Sequence, residues 1–109
     1  MTEKFKPTYD LVAFKAASSA EKGLHVTGIA LRNAASLGFG RAEIVATIQT
    51  MQRSHFYTSV TSYGDHRIWQ DVYHVPSDAG DLYVKFTADA DAVAVAEFVL
   101  LSFKENDNG

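Results

Sequence analysis

The chain has 109 residues, of which 47% are hydrophobic, 21% charged and 12% aromatic, and its formal charge is −3 with an isoelectric point near 5.7. That is room for one domain, 1–109, with one core, and it exerts no global pull on polyanions, so any nucleic-acid site must be a local patch. The absence of cysteine rules out a disulfide framework, a thiol nucleophile and a cysteine-based zinc site.

In chain order, the N-terminal MTEKFKPTYD lacks the apolar core of a signal peptide, which points to the cytoplasm. Thr8-Tyr9-Asp10 can start a first helix near 8–22. Leu11, Phe14 and Ala17 or Ser18 follow at helical spacing, and Gly23 is its expected stop. Thr27 reads as the cap of a second helix near 27–37, with Ile29, Leu31, Ala34 and Ala35 facing the core. Beyond Gly38-Phe39-Gly40 a third helix near 41–51 carries Ile44, Val45, Ile48 and Met51.

From about Phe56 the hydrophobic period changes to two. Arg67 to Val75 alternates, with Ile68, Gln70, Val72 and His74 on one face and Arg67, Trp69, Asp71 and Tyr73 on the other. Pro76 to Gly80 is a turn cluster. Asp81 to Ala88 alternates again, Leu82, Val84 and Phe86 against Asp81, Tyr83, Lys85 and Thr87. A turn at Ala88-Asp89-Ala90-Asp91 precedes a strand from Val93 to Lys104, and ENDNG reads as a solvated tail. The longest apolar stretch, Ala92 to Phe103, is broken by Glu97 and Ser102 and is too short to cross a bilayer. The expected architecture is α+β: a small antiparallel sheet with strands near 67–74, 81–88 and 93–104, and helices packed on one face.

Candidate chemistry narrows quickly. No pair among His25, His55, His66 and His74 has metal-ligand spacing with a glutamate on a helix. A metal-dependent nuclease built on Asp65, His66, Asp71 and His74 therefore lacks a ligand pattern, and Asp89 and Asp91 read as turn formers. No G-x-S-x-G elbow is present, and Gly38-Phe39-Gly40 lacks the lysine and length of a P-loop. What remains is Tyr83 beside Lys85 on one strand face, with Lys104 at the end of another. RNA cleavage needs no cofactor, because the ribose 2′-hydroxyl is the nucleophile and the protein need only move protons and stabilise charge on phosphorus. Flanking lysines are expected to lower the pKa of Tyr83 and to grip phosphate.

The stretch Tyr63-Gly64-Asp65-His66-Arg67-Ile68-Trp69-Gln70-Asp71-Val72-Tyr73 closely resembles the signature of the MqsR (motility quorum-sensing regulator) toxins. So do Phe56-Tyr57 upstream, Leu82-Tyr83-Val84-Lys85 downstream, Ser102-Phe103-Lys104-Glu105 at the end, and Leu31-Arg32-Asn33-Ala34 with Leu37-Gly38 in the helical half. The resemblance runs from about Lys6 to Glu105. It implies a RelE-like fold and a type II toxin that cuts single-stranded mRNA at GC-containing sites without metal, cofactor or ribosome. Its implied partner is a cognate antitoxin that binds zinc and carries a helix-turn-helix. By the same resemblance Gln70, Tyr83 and Lys104 are catalytic; Lys85, Arg67 and position Thr58 are the further residues expected at the substrate.

Thr58 stands where the family pattern has lysine, and Arg53 or Arg67 is expected to substitute for that charge. The alternative reading is a catalytically weakened RelE-like module that mainly binds an antitoxin. Two geometric expectations follow. Tyr83 and Lys104 should lie within side-chain reach of each other. Trp69 should enter the core on the face opposite Gln70, and Asp65 and Asp71 should fix turn and strand geometry or pair with Arg67.

Overall fold

The computed structural model describes residues 2–20, 22–88 and 97–107. A two-residue strand, β1 (Glu3–Lys4), leads to helix α1 (Leu11–Ser19). Asp10 caps α1 by accepting the Val12 N–H at 3.0 Å, and Phe14, Ala17 and Ser18 form its buried face. The helix is shorter than expected, because the chain turns extended at Ala20. Gly23 is therefore not its cap. It serves close approach instead: a Cβ there would lie 2.1 Å from the Ala17 carbonyl oxygen. That passage admits the short strand β2 (Leu24–Val26).

Thr27 caps helix α2 (Gly28–Ser36) through its hydroxyl oxygen, as its sequence position suggests. Its buried side is Ala30 and Ala34, while Ile29 and Leu31 are 57% and 44% exposed. The expected stripe is thus corrected: α2 packs on the sheet through small residues, and its bulky ones face outward. Helix α3 (Arg41–Thr50) begins with the Gly40 N–H donating to the Glu43 carboxylate at 2.8 Å, and buries Ile44, Thr47 and Ile48.

A single turn of 3₁₀ helix, Arg53–His55, opens onto strands β3 (Phe56–Thr61), β4 (Trp69–Val75), β5 (Leu82–Ala88) and β6 (Phe98–Glu105). The sheet order is β1-β3-β4-β5-β6-β2, antiparallel throughout except where β2 runs parallel to β6. The α+β expectation holds, with a wider sheet than the alternation predicted. β1 and β2 have two and three residues, too few to show a period. β4 starts at Trp69 and not at Arg67, because the Asp65 carboxylate accepts both the Arg67 backbone N–H and its guanidinium and holds 65–68 as a turn. The expected turn at Asp89–Asp91 and the expected strand's first residues lie outside the described residues.

The core fills the space between the helices and one sheet face. Phe14 stacks on Phe86 with ring centroids 3.6 Å apart, Phe98 packs edge-on against both, and Tyr73, Val84, Leu100 and Phe103 complete the floor. Asp71, fully buried on this same face, accepts the Thr8 and Tyr9 backbone N–H groups at 2.9–3.1 Å. It thereby ties the segment before α1 to the middle of the sheet. Trp69 shares the face but is only half-buried, with the Lys4 ammonium 4.2 Å from its ring centroid, so it closes the edge of the sheet and is not among the buried core residues. The helices leave the other face of the sheet uncovered. There the polar residues of β4, β5 and β6 collect.

A candidate active site on the open sheet face

Strand register lays out this face in rows. His74 of β4 pairs with Tyr83 of β5, which pairs with Lys104 of β6; the next row is Thr58, Val72, Lys85 and Ser102. Side chains of paired residues point to the same side, so each row is a set of neighbours. The Lys104 ammonium lies 5.2 Å from the Tyr83 ring centroid, and the His74 ring is 6.1 Å from it. Tyr83 and Lys104 are therefore within reach of each other across β5 and β6.

A β-bulge adds a further ring. Phe56 pairs with Tyr73 on the core side, and the register then shifts before Thr58 pairs with Val72. The intervening Tyr57 is left to turn onto the open face, where it stacks on His74 at 4.1 Å and 20°. Tyr57, His74 and Tyr83 thus form a line of rings ending under Lys104. Tyr57 and His74 were not singled out as site residues from the sequence. A signal for His74 was there: counting outward from the Pro76–Asp81 turn pairs Val75 with Leu82 and His74 with Tyr83.

The other expected residues fall at different distances from this cluster. Lys85 is half-buried one row along. Gln70, across from Val60, is two rows beyond His74 on the same face, ~13 Å along the strand. Arg67 is farther still. Its side chain is 90% exposed in the turn before β4 and is engaged by Asp65 through two contacts of 3.0 Å. Thr58 is 4% exposed, and its hydroxyl donates to the Glu3 carboxylate at 2.8 Å and lies 3.1 Å from the Lys4 carbonyl. Neither Thr58 nor Arg67 joins the Tyr83 cluster. Arg53 packs its guanidinium against the Phe56 ring at 5.0 Å, and Phe56 lies on the core side of β3. Among the described residues no three histidine, aspartate or glutamate side chains converge on a point that would hold a metal ion.

Burial governs the proton affinities here, and one expectation is overturned. The Tyr83 phenol is pushed above its ordinary value by desolvation, and by neighbouring Tyr57 to a lesser degree, so it is not drawn down toward phenolate by the lysines. Lys85 is lowered from the usual lysine range by burial and then by Lys104. His74 is lowered by burial, against a smaller opposing pull from Asp81. At neutral pH the row thus offers a protonated phenol, a neutral imidazole and an ammonium side by side. Those are a proton donor, a proton acceptor and a positive charge, which is what transfer at a phosphodiester requires.

This sequence is similar to known proteins. The family described as motility quorum-sensing regulator, toxin of MqsA, matches residues 6–105. The mRNA interferase toxin MqsR of Escherichia coli (strain K12) is 37% identical over 82 residues, which cover 75% of this chain and 78% of that protein.

Proposed function

The chain belongs to the motility quorum-sensing regulator toxin family, and from that premise we propose that its open sheet face is the active site at which mRNA is cut. It is the toxin of a toxin–antitoxin system and an mRNA interferase, an endoribonuclease. The observation that carries the site is the Tyr83–Lys104 pair: an ammonium 5.2 Å from a phenol ring, with Lys85 one row away, on the sheet face opposite the one on which α1, α2 and α3 pack.

In this reading the 2′-hydroxyl attacks the adjacent phosphorus and the bond to the 5′-oxygen breaks. Lys104 and Lys85 stabilise the charge on the phosphorane. Tyr83, kept protonated by its burial, donates its proton to the departing 5′-oxygen. Gln70 hydrogen-bonds the strand two rows along, and Arg67, beyond it, contacts a phosphate still farther from the cut. Thr58 takes no direct part, because its hydroxyl is already spent on Glu3. The RNA is single-stranded, because a flexible strand can swing its 2′-hydroxyl into line with the P–O5′ bond that breaks, as a regular A-form duplex does not. Among the described residues no helix is long and apolar enough to cross a membrane. The toxin acts in the cytoplasm, where mRNA and its antitoxin are found; that antitoxin binds zinc and carries a helix-turn-helix.

The test is cleavage of one RNA by three proteins in the presence of a chelator. Tyr83→Phe leaves the sheet packed and should lower the rate by about 10²–10⁴-fold. Lys104→Ala should lose a comparable factor and bind RNA more weakly as well. Full activity in a folded Tyr83→Phe protein removes the tyrosine from the mechanism. A second reading, a weakened module that mainly binds an antitoxin, is favoured by the absence of a free cation at Thr58. It requires the wild-type protein itself to leave RNA intact.

A further inference from the structure

Resting on the RNA-cleavage reading, we infer that His74 is the general base of this site, taking the proton of the attacking 2′-hydroxyl while Tyr83 serves as the acid. The need for a second group follows from Tyr83 itself. A half-buried phenol that holds its proton is a donor and cannot also begin the reaction by accepting one.

The geometry leaves few acceptors. Among the described residues of the Tyr83 row and the row beside it, Lys104 and Lys85 are donors when charged, and Ser102 and Thr58 are neutral hydroxyls. His74 alone carries an imidazole. It is the direct cross-strand partner of Tyr83, with its ring 6.1 Å from the phenol and held flat against Tyr57 at 4.1 Å. Acid and base therefore stand on neighbouring strands of one sheet, their ring centroids 6.1 Å apart on the same open face. The stacked ring has few orientations open to it, so the imidazole edge is presented in place before substrate arrives.

The groups facing His74 are Tyr57 from β3, Tyr83 and Lys85 from β5, Asp81 from the turn before β5, and Lys104 from β6. Burial lowers its proton affinity and Asp81 raises it to a smaller extent. The imidazole is accordingly unprotonated at neutral pH and ready to accept.

The step balances. An imidazole nitrogen of His74 takes the 2′-hydroxyl proton as the O2′–P bond forms. The P–O5′ bond breaks, its electron pair leaves with the 5′-oxygen, and that oxygen takes the Tyr83 proton. The products are a 2′,3′-cyclic phosphate, a 5′-hydroxyl, an imidazolium and a phenolate. Transfer of the imidazolium proton to the phenolate through solvent restores the enzyme. No oxidant, metal or co-substrate enters.

The experiment separates ring from nitrogen and base from acid. His74→Phe keeps a flat ring for Tyr57 to stack on and removes both nitrogens, while His74→Ala leaves room for added imidazole. Cleavage of one oligoribonucleotide is followed against pH with a chelator present, and folding of each variant is checked by its thermal transition. Wild-type protein should yield cyclic-phosphate ends, and its kcat/KM should fall on the acid side with an apparent pKa below the ordinary histidine value. His74→Phe should lose about 10²–10⁴-fold and the acid limb with it, and imidazole should restore part of the rate to His74→Ala. A substrate with sulfur in place of the scissile 5′-oxygen has a leaving group that needs no acid. It should rescue Tyr83→Phe and not His74→Phe.

Near-wild-type cleavage by His74→Phe with the acid limb intact would show that the ring only stacks, and overturns the assignment while leaving RNA cleavage standing. Rescue of His74→Phe by the sulfur substrate would make it an acid and also overturns it. Wild-type protein that makes no cyclic-phosphate ends overturns the reading of the site as a whole.

Discussion

At Tyr83 two influences compete for one proton. The Lys104 ammonium, 5.2 Å from the ring, favours phenolate, but it is solvent-exposed, and a Coulomb interaction at such a separation in water is about 1 kcal/mol or less. Burial of the phenol acts the other way and prevails. Tyr73, on the core side of β4, shows the same effect more strongly. It is fully buried, its hydroxyl has no hydrogen-bond partner among the described residues, and desolvation pushes its pKa up to about 12. The unfolded chain releases this proton near pH 10, while the folded one holds it until about 12. Stability attributable to Tyr73 is therefore complete below pH 10 and lost as pH rises through that window. Tyr73→Phe should accordingly weaken the alkaline fall in melting temperature between pH 10 and 12, with stability at pH 7 unchanged or higher. A marked loss at pH 7 would mean that the hydroxyl has a partner in solution. The identities of these residues were legible in the sequence, as was the shared face of Tyr83 and Lys85. The direction of the Tyr83 shift was not, because neighbouring charge can be read from spacing and desolvation cannot.

Two local devices, a bulge and a clasp, decide what each face of the sheet presents. The bulge in β3 turns Tyr57 onto the open face beside His74, while Thr58, in the next row of that face, is buried with its hydroxyl on Glu3. Threonine is neutral, so the position where the family pattern has lysine contributes no charge to the face. On the other face Asp71 clasps the backbone of Thr8 and Tyr9. Asp71→Ala leaves two partly buried N–H groups without their acceptor and removes hydrogen bonds to a charged group, which should cost about 2 kcal/mol or more of unfolding free energy. Because Asp71 points away from the Tyr83 row, the folded fraction should keep its kcat. Denaturant titration and single-turnover cleavage on one preparation test both halves. A loss of kcat out of proportion to the unfolded fraction would move Asp71 into the chemistry. Capping residues and alternation located α2, α3, β4 and β5 well. The ends of α1 and β4 were misjudged, because Gly23 answers to packing against Ala17 and the Asp65–Arg67 turn consumes the first residues of the alternating run.

Across the whole molecule, a chain of net charge −3 must bind RNA through a few cations gathered on one face. With Lys85 and Lys104 as the cations at the cut and Arg67 on a phosphate beyond it, the logarithm of affinity should fall with the logarithm of salt at a slope of about −2.1, for three contacts to a single strand. Lys104→Ala should flatten it by about a third. A slope several times steeper would require a basic surface elsewhere on the protein, and a slope of zero would remove phosphate from the recognition. The sequence by itself determined the α+β class, the helices α1 to α3, the alternating strands and the motif that identifies the family, because periods, caps and turn residues act within a few positions of one another. Only the tertiary structure decided that β2 slips in parallel beside β6, that the bulge in β3 sets Tyr57 against His74, and that Thr58 is buried and Tyr83 keeps its proton. Those outcomes depend on register between strands and on exclusion of water, and both arise from contacts between residues far apart in the chain.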